Sequence, residues 1–556
     1  MDQPQLASSQ STLLKMWAGV SAVHASLVGA AVSLMLGIAE VLSPNTLFGE
    51  PGTNLAYDQG VYFGAALRVT TGALPYKDFT LVHPPGIVLL LQPEAWIGRL
   101  IGTGAGLALA QIVTVLVVAA NAFLVGYLVR SAGRSASLLA SLALALWPFA
   151  VHVDALVELE PYLVLFILLS LVLVMGAAQA NLKRGLFLGG CAIGLAMSIK
   201  VWGLYPFLGL SAVVAVNYKR QALAFFAGAA AVLATLWGPF LVLFGSNFLH
   251  DVVIAQLHRQ GFIGTAPTSF ASRFFATAGL GDIFFGSVIS TSTVLVIALY
   301  GLFALGLGLV FGLRWRNRTR NEWLLVVVCL STAIGVLTMH APNYTSHYAY
   351  VPAAALAPLL GFLVAKVVHL VNQSLRGESL GSLPTSVFAG GLALVVLVAS
   401  VAVFVPKVQQ VTKAEYASSF RVVSDLKDTI APDLCAVSDF PNDLIAAGRY
   451  LSTTPDCPPL TDPFGMYLVN DDGNQPHAGS AEHPIPQAFA AAWLATVQHT
   501  EVVVQSVEFS SYFPWDDLSR SWFASHFTLI KRFQYPTPSG ILFQRLVYLR
   551  NDLATY

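Results

Sequence analysis

The sequence has little charge for its length. Only 10% of its 556 residues are Asp, Glu, Lys or Arg, and the 29 basic residues balance the 29 acidic ones. It contains neither a basic tract of the kind that binds nucleic acid nor a GxxxxGK[ST] loop for ATP phosphates. These absences argue against a nucleic-acid-binding protein and against an ATP-driven machine.

Cysteine is also scarce, with four residues in the whole chain. Cys191 and Cys329 lie in apolar runs, where a thiol usually serves packing. Cys435 and Cys457 lie in a polar C-terminal segment, and an extracytoplasmic location would permit a disulfide between them. Close His and Cys spacing of the zinc-binding kind is missing, so the sequence predicts no dedicated metal site. A divalent metal as a cofactor is left open.

Apolar residues are abundant: 56% of the chain is hydrophobic and the mean hydropathy is +0.69. Apolar runs recur that are long enough to cross about 30 Å of hydrocarbon as helices. The composition therefore predicts a polytopic α-helical membrane protein with about eleven transmembrane helices. The predicted spans are Met16–Ala39, Ala105–Val129, Ser135–Val151, Tyr162–Ala178, Gly185–Ser198, Val201–Val216, Ala222–Phe244, Val288–Leu313, Trp323–Met339, Tyr348–Val371 and Val387–Val405.

The distribution of positive charge predicts the topology. The run Ile87–Ile101 is short and is interrupted by Pro93, Glu94 and Arg99, so we interpret it as a helix at the membrane interface. With this run not spanning, eleven basic residues between spans fall on one side, which the positive-inside rule makes cytoplasmic: Arg130, Arg134, Lys183, Arg184, Lys219, Arg220, Arg314, Arg316, Arg318, Arg320 and Arg376. The outer face then receives the loop 41–101, the segment His152–Pro161, Lys200, the loop Gly245–Phe285, the segment His340–Tyr348 and the C-terminus.

Two domains are predicted. Residues 1–405 form the membrane domain, which includes the outer first loop 41–101, and residues 406–556 form a small extracytoplasmic α/β domain. The second domain is polar and contains β-like runs such as EVVVQSV and GILFQRLVYL among helical stretches such as AFAAAWLATV. We expect a multi-pass protein of the plasma membrane in contact with membrane lipids.

The stretch from Tyr57 to Gly86 is the longest polar interruption in the first half of the chain. It contains Asp58, Asp78 and His83 in a sequence that has few ionisable groups. Ionisable groups beside a bilayer are costly to place, so the stretch predicts a functional site. The alternative is an ordinary solvated loop.

The order of motifs resembles a known family. YDQG is followed by a G-x-x-P-Y-x-D-F turn and by HPPG; ALVELEP, GLAMSIKVWGL and NYTSHYAYVP come later in the chain. This order is similar to that of the GT-C superfamily of lipid-linked-sugar glycosyltransferases, in particular to the protein O-mannosyltransferases and the aminoarabinose transferases of lipid A. The resemblance covers Met16–Gly361. Gln59 stands where the family often has Glu, and His83 stands where the lipid A transferases have Lys.

The resemblance implies an inverting glycosyltransferase of hexosyl or pentosyl type, such as a mannosyltransferase or an arabinosyltransferase. It would move a sugar from a polyprenyl-phosphate donor to a glycan, lipid or protein acceptor outside the cytoplasm. Asp58 matches the family's base and Glu160 its second acidic position, and both are therefore predicted catalytic residues. For Asp58 the alternative is a helix cap. A secondary transporter or flippase of lipid-linked sugars, and a non-catalytic assembly protein, are the rival functions.

Further residues are assigned by the same resemblance and by their chemistry. The predicted donor-phosphate ligands are Lys200, His83, Tyr344 and His347, and the predicted substrate-binding residues are Asp78, Glu158, His340 and Tyr348. Lys200 could instead extend to the interface, and the Tyr and His residues could form an aromatic belt. Asp78 also fits a structural role in its turn. His258 and Arg259 are weaker candidates of the same kind.

Overall fold

The structure, a computed structural model, is mostly helical. It describes residues 21–41, 57–147, 153, 155–177, 181–260, 273, 320–339, 344, 346–375, 422–471, 485–536 and 542–553. Within these residues, seven helical stretches are long and apolar enough to cross a membrane. They are Ala22–Val41, Thr103–Leu128, Leu159–Gly176, Leu182–Ile199, Val201–Leu236, Gly238–His258 and Asn321–Thr338. A further long helix covers Tyr350–Leu375.

The predicted spans agree with these helices in most places and differ in two. The predicted span Ala222–Phe244 ends at Leu236, and a separate helical stretch, Gly238–His258, covers the start of the predicted outer loop Gly245–Phe285. The predicted span Ser135–Val151 is a helix of only 12 residues, Arg134–Ala145, which is too short to cross the hydrocarbon alone. Pro148 follows closely, and a residue before proline is disfavoured in helical conformation. The predicted spans Val288–Leu313 and Val387–Val405 lie outside the described residues, so the number eleven stays a prediction.

The long stretch Val201–Leu236 is broken in the middle, as the sequence predicted. It forms the helices Leu204–Tyr218 and Ala222–Leu236. Lys219, between them, has a φ angle of 47°, a conformation that ends a helix of L-residues. The next helix, Gly238–Leu249, begins at a Gly-Pro pair and continues through a π-helical turn, His250–Ile254, into Ala255–His258.

Three shorter helices, Tyr57–Thr70, Gly86–Leu90 and Gln92–Ile101, lie between the long helices Ala22–Val41 and Thr103–Leu128. The last two occupy the run that we interpreted as interfacial. Trp96, Leu100 and Ile101 are 50%, 80% and 68% exposed, so this region presents an apolar face outward. Such a face is typical of a helix that lies at a membrane surface.

The C-terminal region contains a four-stranded sheet in the order β1-β2-β4-β3, formed by β1 (Ala436–Ser438), β2 (Val502–Gln505), β3 (Phe527–Pro536) and β4 (Leu542–Arg550). β1 and β2 are parallel, and the other pairs are antiparallel. The helices here are Pro441–Ala446, Pro463–Asn470, Gln487–Gln498 and Asp517–His526. The predicted Cys435–Cys457 disulfide is confirmed. The predicted domain boundary at residue 405 lies outside the described residues.

The helix Tyr57–Thr70 joins the two regions. Its residues from Gln59 to Arg68 are all buried, because the helix packs on Pro441–Ala446 on one side and on Gln92–Ile101 on another. Gly64 lets the Tyr450 ring approach closely, and the Arg68 guanidinium lies 4.5 Å from the centre of that ring. The start of this helix, where Asp58 lies, is thus held by both regions.

Candidate active site

The HPPG turn brings His83 next to the end of a membrane helix. A side chain at Gly86 would collide with the backbone carbonyl of Ser198, so only glycine allows this approach. The carbonyl oxygen of His83 accepts a hydrogen bond of 2.7 Å from the Tyr76 hydroxyl, which fixes the turn. His83 therefore lies beside Lys200, two residues after Ser198, and both residues line the same cavity.

Lys200 forms a buried ion pair with Glu160. Its Nζ lies 2.5 Å from Oε1 of Glu160, and the two side chains are 4% and 1% exposed. The ammonium also faces two aromatic rings, at 3.5 Å from the centre of Trp202 and 4.3 Å from that of Tyr348. Cations are attracted to such ring faces. The lysine is thus part of the protein interior and does not extend to the interface.

A cavity opens beside this pair. It contains about 380 Å³ of empty space, its open mouth included. Its polar lining comes from His83, Lys200, Gln256, Arg259 and Tyr348. The Arg259 guanidinium donates a hydrogen bond of 3.4 Å to the Tyr348 hydroxyl. Two cationic side chains from different helical segments therefore share one cavity, a combination suited to an anion such as a phosphate.

Asp58 lies close to two other predicted residues. Its Oδ2 is 3.6 Å from Nε2 of His347, and its side chain is 35% exposed. Asp58, Glu158 and His347 each place one ligand atom within 4.8 Å of the other two. Asp58 lies in the first turn of the helix Tyr57–Thr70, and none of the hydrogen bonds between the described residues joins its carboxylate to a backbone amide.

Burial and the charges of neighbouring groups change the pKa values of the ionisable residues in this site. Burial raises the pKa of Asp58, while the neighbouring His347 opposes that rise. Burial also raises the pKa of Glu158 well above its usual range, and the charge of Asp58 adds to the effect. Burial lowers the pKa of His83, and the charges of Lys200 and Arg259 lower it further, so this imidazole favours its neutral form.

The cluster of Asp58, Glu158 and His347 fits a divalent cation. Two carboxylates and an imidazole are common ligands of such ions. The Oε2 atom of Glu158 is buried and has no hydrogen-bond partner among the described residues, which leaves it available as a ligand. The sequence contains no closely spaced ligand motif and therefore predicts no metal site. These three ligands come from separate elements, so a pattern of spacing along the chain does not reveal them.

The remaining predicted residues lie in different places. Tyr348 lines the cavity, and Tyr344 is buried with its ring 5.7 Å from that of Tyr348. Asp78 accepts a hydrogen bond of 2.8 Å from the backbone amide of Leu74, so its carboxylate stabilises its own turn. His340 lies outside the described residues. The substrate-binding roles of Asp78, His340 and Tyr348 and the donor-phosphate role of Tyr344 stay predictions.

Two residues near the site carried little or no sequence signal. Arg259 was only a weak candidate, because its loop has no distinctive motif. Asp462 belongs to the C-terminal region, and its Oδ1 accepts a hydrogen bond of 2.9 Å from the hydroxyl of Tyr57, the neighbour of Asp58. Such a contact between distant segments is visible only in the folded chain.

Comparison with known proteins agrees with this architecture. ArnT from Cupriavidus metallidurans, in a crystal structure with undecaprenyl phosphate, superimposes with a TM-score of 0.52 and 14% identity over 94% of this chain and 97% of ArnT. The chain has the GT-C fold. The oligosaccharyltransferase of Archaeoglobus fulgidus in its apo form gives a TM-score of 0.50 and 14% identity over 93% of this chain and 74% of the enzyme. No protein-family model and no curated protein sequence matches.

Proposed function

We propose that this protein is a membrane glycosyltransferase that moves a sugar from a polyprenyl-phosphate donor to an acceptor outside the cytoplasm. The observation that carries the proposal is the proximity of a cationic cavity and a carboxylate cluster: the ring of His347, in the cluster, lies 4.5 Å from that of Tyr348, which lines the cavity. Lys200 and Arg259 line the cavity, Asp58 and Glu158 belong to the cluster, and Glu160 pairs with Lys200. The GT-C fold, shared with an ArnT structure that contains undecaprenyl phosphate, supports this reading.

In this proposal the donor phosphate occupies the cavity. The Lys200 ammonium and the Arg259 guanidinium donate hydrogen bonds to its oxygens, which are strong because both partners are charged. Lys200 follows the apolar helix Leu182–Ile199 directly, so the cavity is within reach of a lipid carrier. Neutral His83 can donate a further hydrogen bond without adding charge.

Asp58 acts as the general base. Its carboxylate takes the proton from an acceptor hydroxyl while that oxygen forms a bond to the anomeric carbon of the sugar. The bond between this carbon and the phosphate oxygen breaks, and its electron pair leaves with the polyprenyl phosphate. Attack opposite the leaving group inverts the configuration at the anomeric carbon. A divalent cation held by Asp58, Glu158 and His347 is the alternative use of this cluster, in which Asp58 would be a metal ligand and not the base.

The test uses the purified full-length protein in nanodiscs with undecaprenyl-phosphate-linked mannose and, separately, arabinose. A membrane extract from the source cells supplies the acceptor. We expect release of undecaprenyl phosphate from one of the two donors, and the preferred donor decides between hexosyl and pentosyl transfer. Intact donor with both sugars would overturn the proposal. Movement of intact donor across a vesicle bilayer would favour the flippase instead.

A further inference from the structure

Four partly exposed aromatic rings meet beside Asp58. Tyr57 precedes Asp58 in the chain, and Phe440, Phe464 and Tyr512 come from three segments of the C-terminal region. The ring centres of Phe440 and Tyr512 lie 5.7 and 5.6 Å from that of Tyr57. Phe464 lies 6.4 Å from Tyr512. The four rings, here called the aromatic wall, thus form one continuous surface.

The aromatic wall differs from the aromatic core of the same region. In that core the rings of Trp493, Phe513 and Trp515 are at most 4% exposed and fill the space behind the sheet. Every residue of the wall is partly exposed, and the Arg545 and Arg259 guanidinium groups lie 4.6 and 5.6 Å from the ring centres of Phe440 and Phe464. Aromatic surface left open next to ionisable groups is typical of a ligand site, because interior packing alone would close it.

The wall is held rigidly next to the proposed base. The Tyr57 hydroxyl donates a 2.9 Å hydrogen bond to Oδ1 of Asp462 and accepts one of 2.8 Å from the backbone amide of Phe464. The same Asp462 oxygen accepts a bond from the amide of Gly465. Both hydrogen-bonding functions of the Tyr57 hydroxyl are therefore used within the protein, and its ring is left to form a fixed face.

Tyr512 is the member of the wall that offers a polar group. Its ring is tilted by 42° to Tyr57, 49° to Phe440 and 46° to Phe464. Among the described residues, no partner forms a hydrogen bond with its hydroxyl. Burial, followed by the charges of neighbouring aspartates, raises the pKa of Tyr512 to about 12, so the hydroxyl stays a hydrogen-bond donor and acceptor.

This combination matches the chemistry of a sugar. A pyranose or furanose ring presents C–H groups that pack on aromatic faces, and its hydroxyls donate to carboxylates and to a tyrosine oxygen. Charges of both signs surround the wall, because Arg259 faces Phe464 while Asp58, Asp439 and Asp462 act on Tyr512. We infer that the aromatic wall binds the acceptor and that the acceptor group is a sugar residue of a glycan. This inference rests on the proposed function and specifies its acceptor.

The experiment measures saturation-transfer difference NMR on the full-length protein in nanodiscs. The probes are methyl α-mannopyranoside, methyl α-arabinofuranoside and a threonine-containing hexapeptide. We expect a signal from at least one glycoside and none from the peptide. In Tyr512→Leu, which keeps apolar volume but loses the aromatic face, the glycoside Kd should rise about 2- to 10-fold, as for the loss of one ring contact. Phe464→Leu should act in the same direction.

Matched controls separate this inference from the proposed function. Trp522→Ala removes an aromatic ring of the same region, one that stacks on His526, and should leave the glycoside signal unchanged. Undecaprenyl phosphate binding should be normal in Tyr512→Leu. The inference is wrong if the wild type binds undecaprenyl phosphate but gives no glycoside signal. It is also wrong if Tyr512→Leu and Phe464→Leu leave the glycoside signal unchanged. In both cases the proposed function stands. A peptide signal that depends on Tyr512 would assign a peptide acceptor instead.

Discussion

Lys200 and Glu160 form an ion pair in which 2.5 Å separates Nζ from Oε1, and both side chains are buried. An isolated buried charge is costly, so each residue requires the other. The ion pair also links the cavity with the carboxylate cluster. Lys200 lines the cavity, and Glu160 lies two residues along the chain from Glu158, a member of the cluster. A donor phosphate would compete with Glu160 for the lysine.

The ion pair predicts that a second substitution, at Glu160, restores the stability lost in a Lys200 variant but does not restore lipid binding. Lys200→Met leaves the Glu160 carboxylate unpaired and should cost about 3–5 kcal/mol of unfolding free energy. The double variant Lys200→Met/Glu160→Gln should recover most of that loss. Both variants should bind undecaprenyl phosphate about 10- to 100-fold more weakly, since a hydrogen bond to a charged group contributes about 1.5–3 kcal/mol. Thermal unfolding and lipid binding, measured on the same samples, check this.

Lys77→Met is the matched control for this experiment. Lys77 has a side chain that is 58% exposed and pairs only loosely with Asp78. Its removal should change neither stability nor lipid binding, because exposed ion pairs contribute little. Normal phosphate binding by the stable double variant would exclude Lys200 as a donor ligand.

Local motifs made part of this site predictable. Asp58, His83 and Lys200 each lie in a short sequence whose order resembles the GT-C family, and hydropathy alone places these sequences at helix ends. The Cys435–Cys457 pair was predictable because two cysteines share one polar segment. Each of these predictions depends on neighbours in sequence, which a single chain displays directly.

Contacts between distant segments were not predictable in this way. Arg259 reaches the cavity through a π-helical turn, and Asp462 reaches Tyr57 from the C-terminal region. Strand β3 was missed because its exposed residues, among them Lys531 and Arg532, lack the alternation of a half-buried strand. Tertiary packing decides all three, and single-sequence patterns do not contain it.

The general-base role predicts a large effect of a small change at Asp58. Asp58→Asn keeps the size of the side chain but removes the proton acceptor. Turnover should fall by about 10²–10⁴-fold, the usual contribution of general base catalysis, while undecaprenyl phosphate binding stays normal. Steady-state transfer rates and lipid binding provide the two measurements.

Asp78→Asn serves as the matched control for Asp58→Asn. Asp78 accepts a hydrogen bond from the amide of Leu74 within its own turn. This substitution should lower stability by about 1 kcal/mol, as for the loss of one hydrogen bond, and leave turnover nearly unchanged. If Asp58→Asn transfers sugar at the native rate, Glu160 becomes the leading candidate for the base.

The electrostatics of Asp58 predict the acidic limb of the pH–rate profile. The protonated carboxyl cannot accept a proton, so kcat/KM should fall as pH decreases through the pKa of Asp58. Burial raises that pKa, so the fall should begin at a higher pH than for an exposed aspartate, whose pKa is about 3.9. His347 opposes the rise, so His347→Ala should move the limb to still higher pH. If the acidic limb stays at the same pH in His347→Ala, His347 does not influence the pKa of the base.

The final prediction decides between two roles for Glu158. Burial and the charge of Asp58 raise the pKa of Glu158 well above its usual range, which favours the neutral acid form when no metal is bound. A glutamine resembles the neutral acid in size and polarity. Because our proposal uses Asp58 as the base, we expect Glu158→Gln to retain transfer within about 10-fold of the native rate, less than the effect of losing a general base.

The metal-ligand role gives the opposite result. A cation would require an ionised Glu158, and the amide of glutamine is a poor replacement for a carboxylate ligand. Transfer would then be lost in Glu158→Gln and also in the wild type after treatment with EDTA, and Mn²⁺ would restore only the wild type. We expect transfer to survive EDTA. Loss in both experiments would reassign Asp58 from base to ligand, because it shares the cluster with Glu158 and His347.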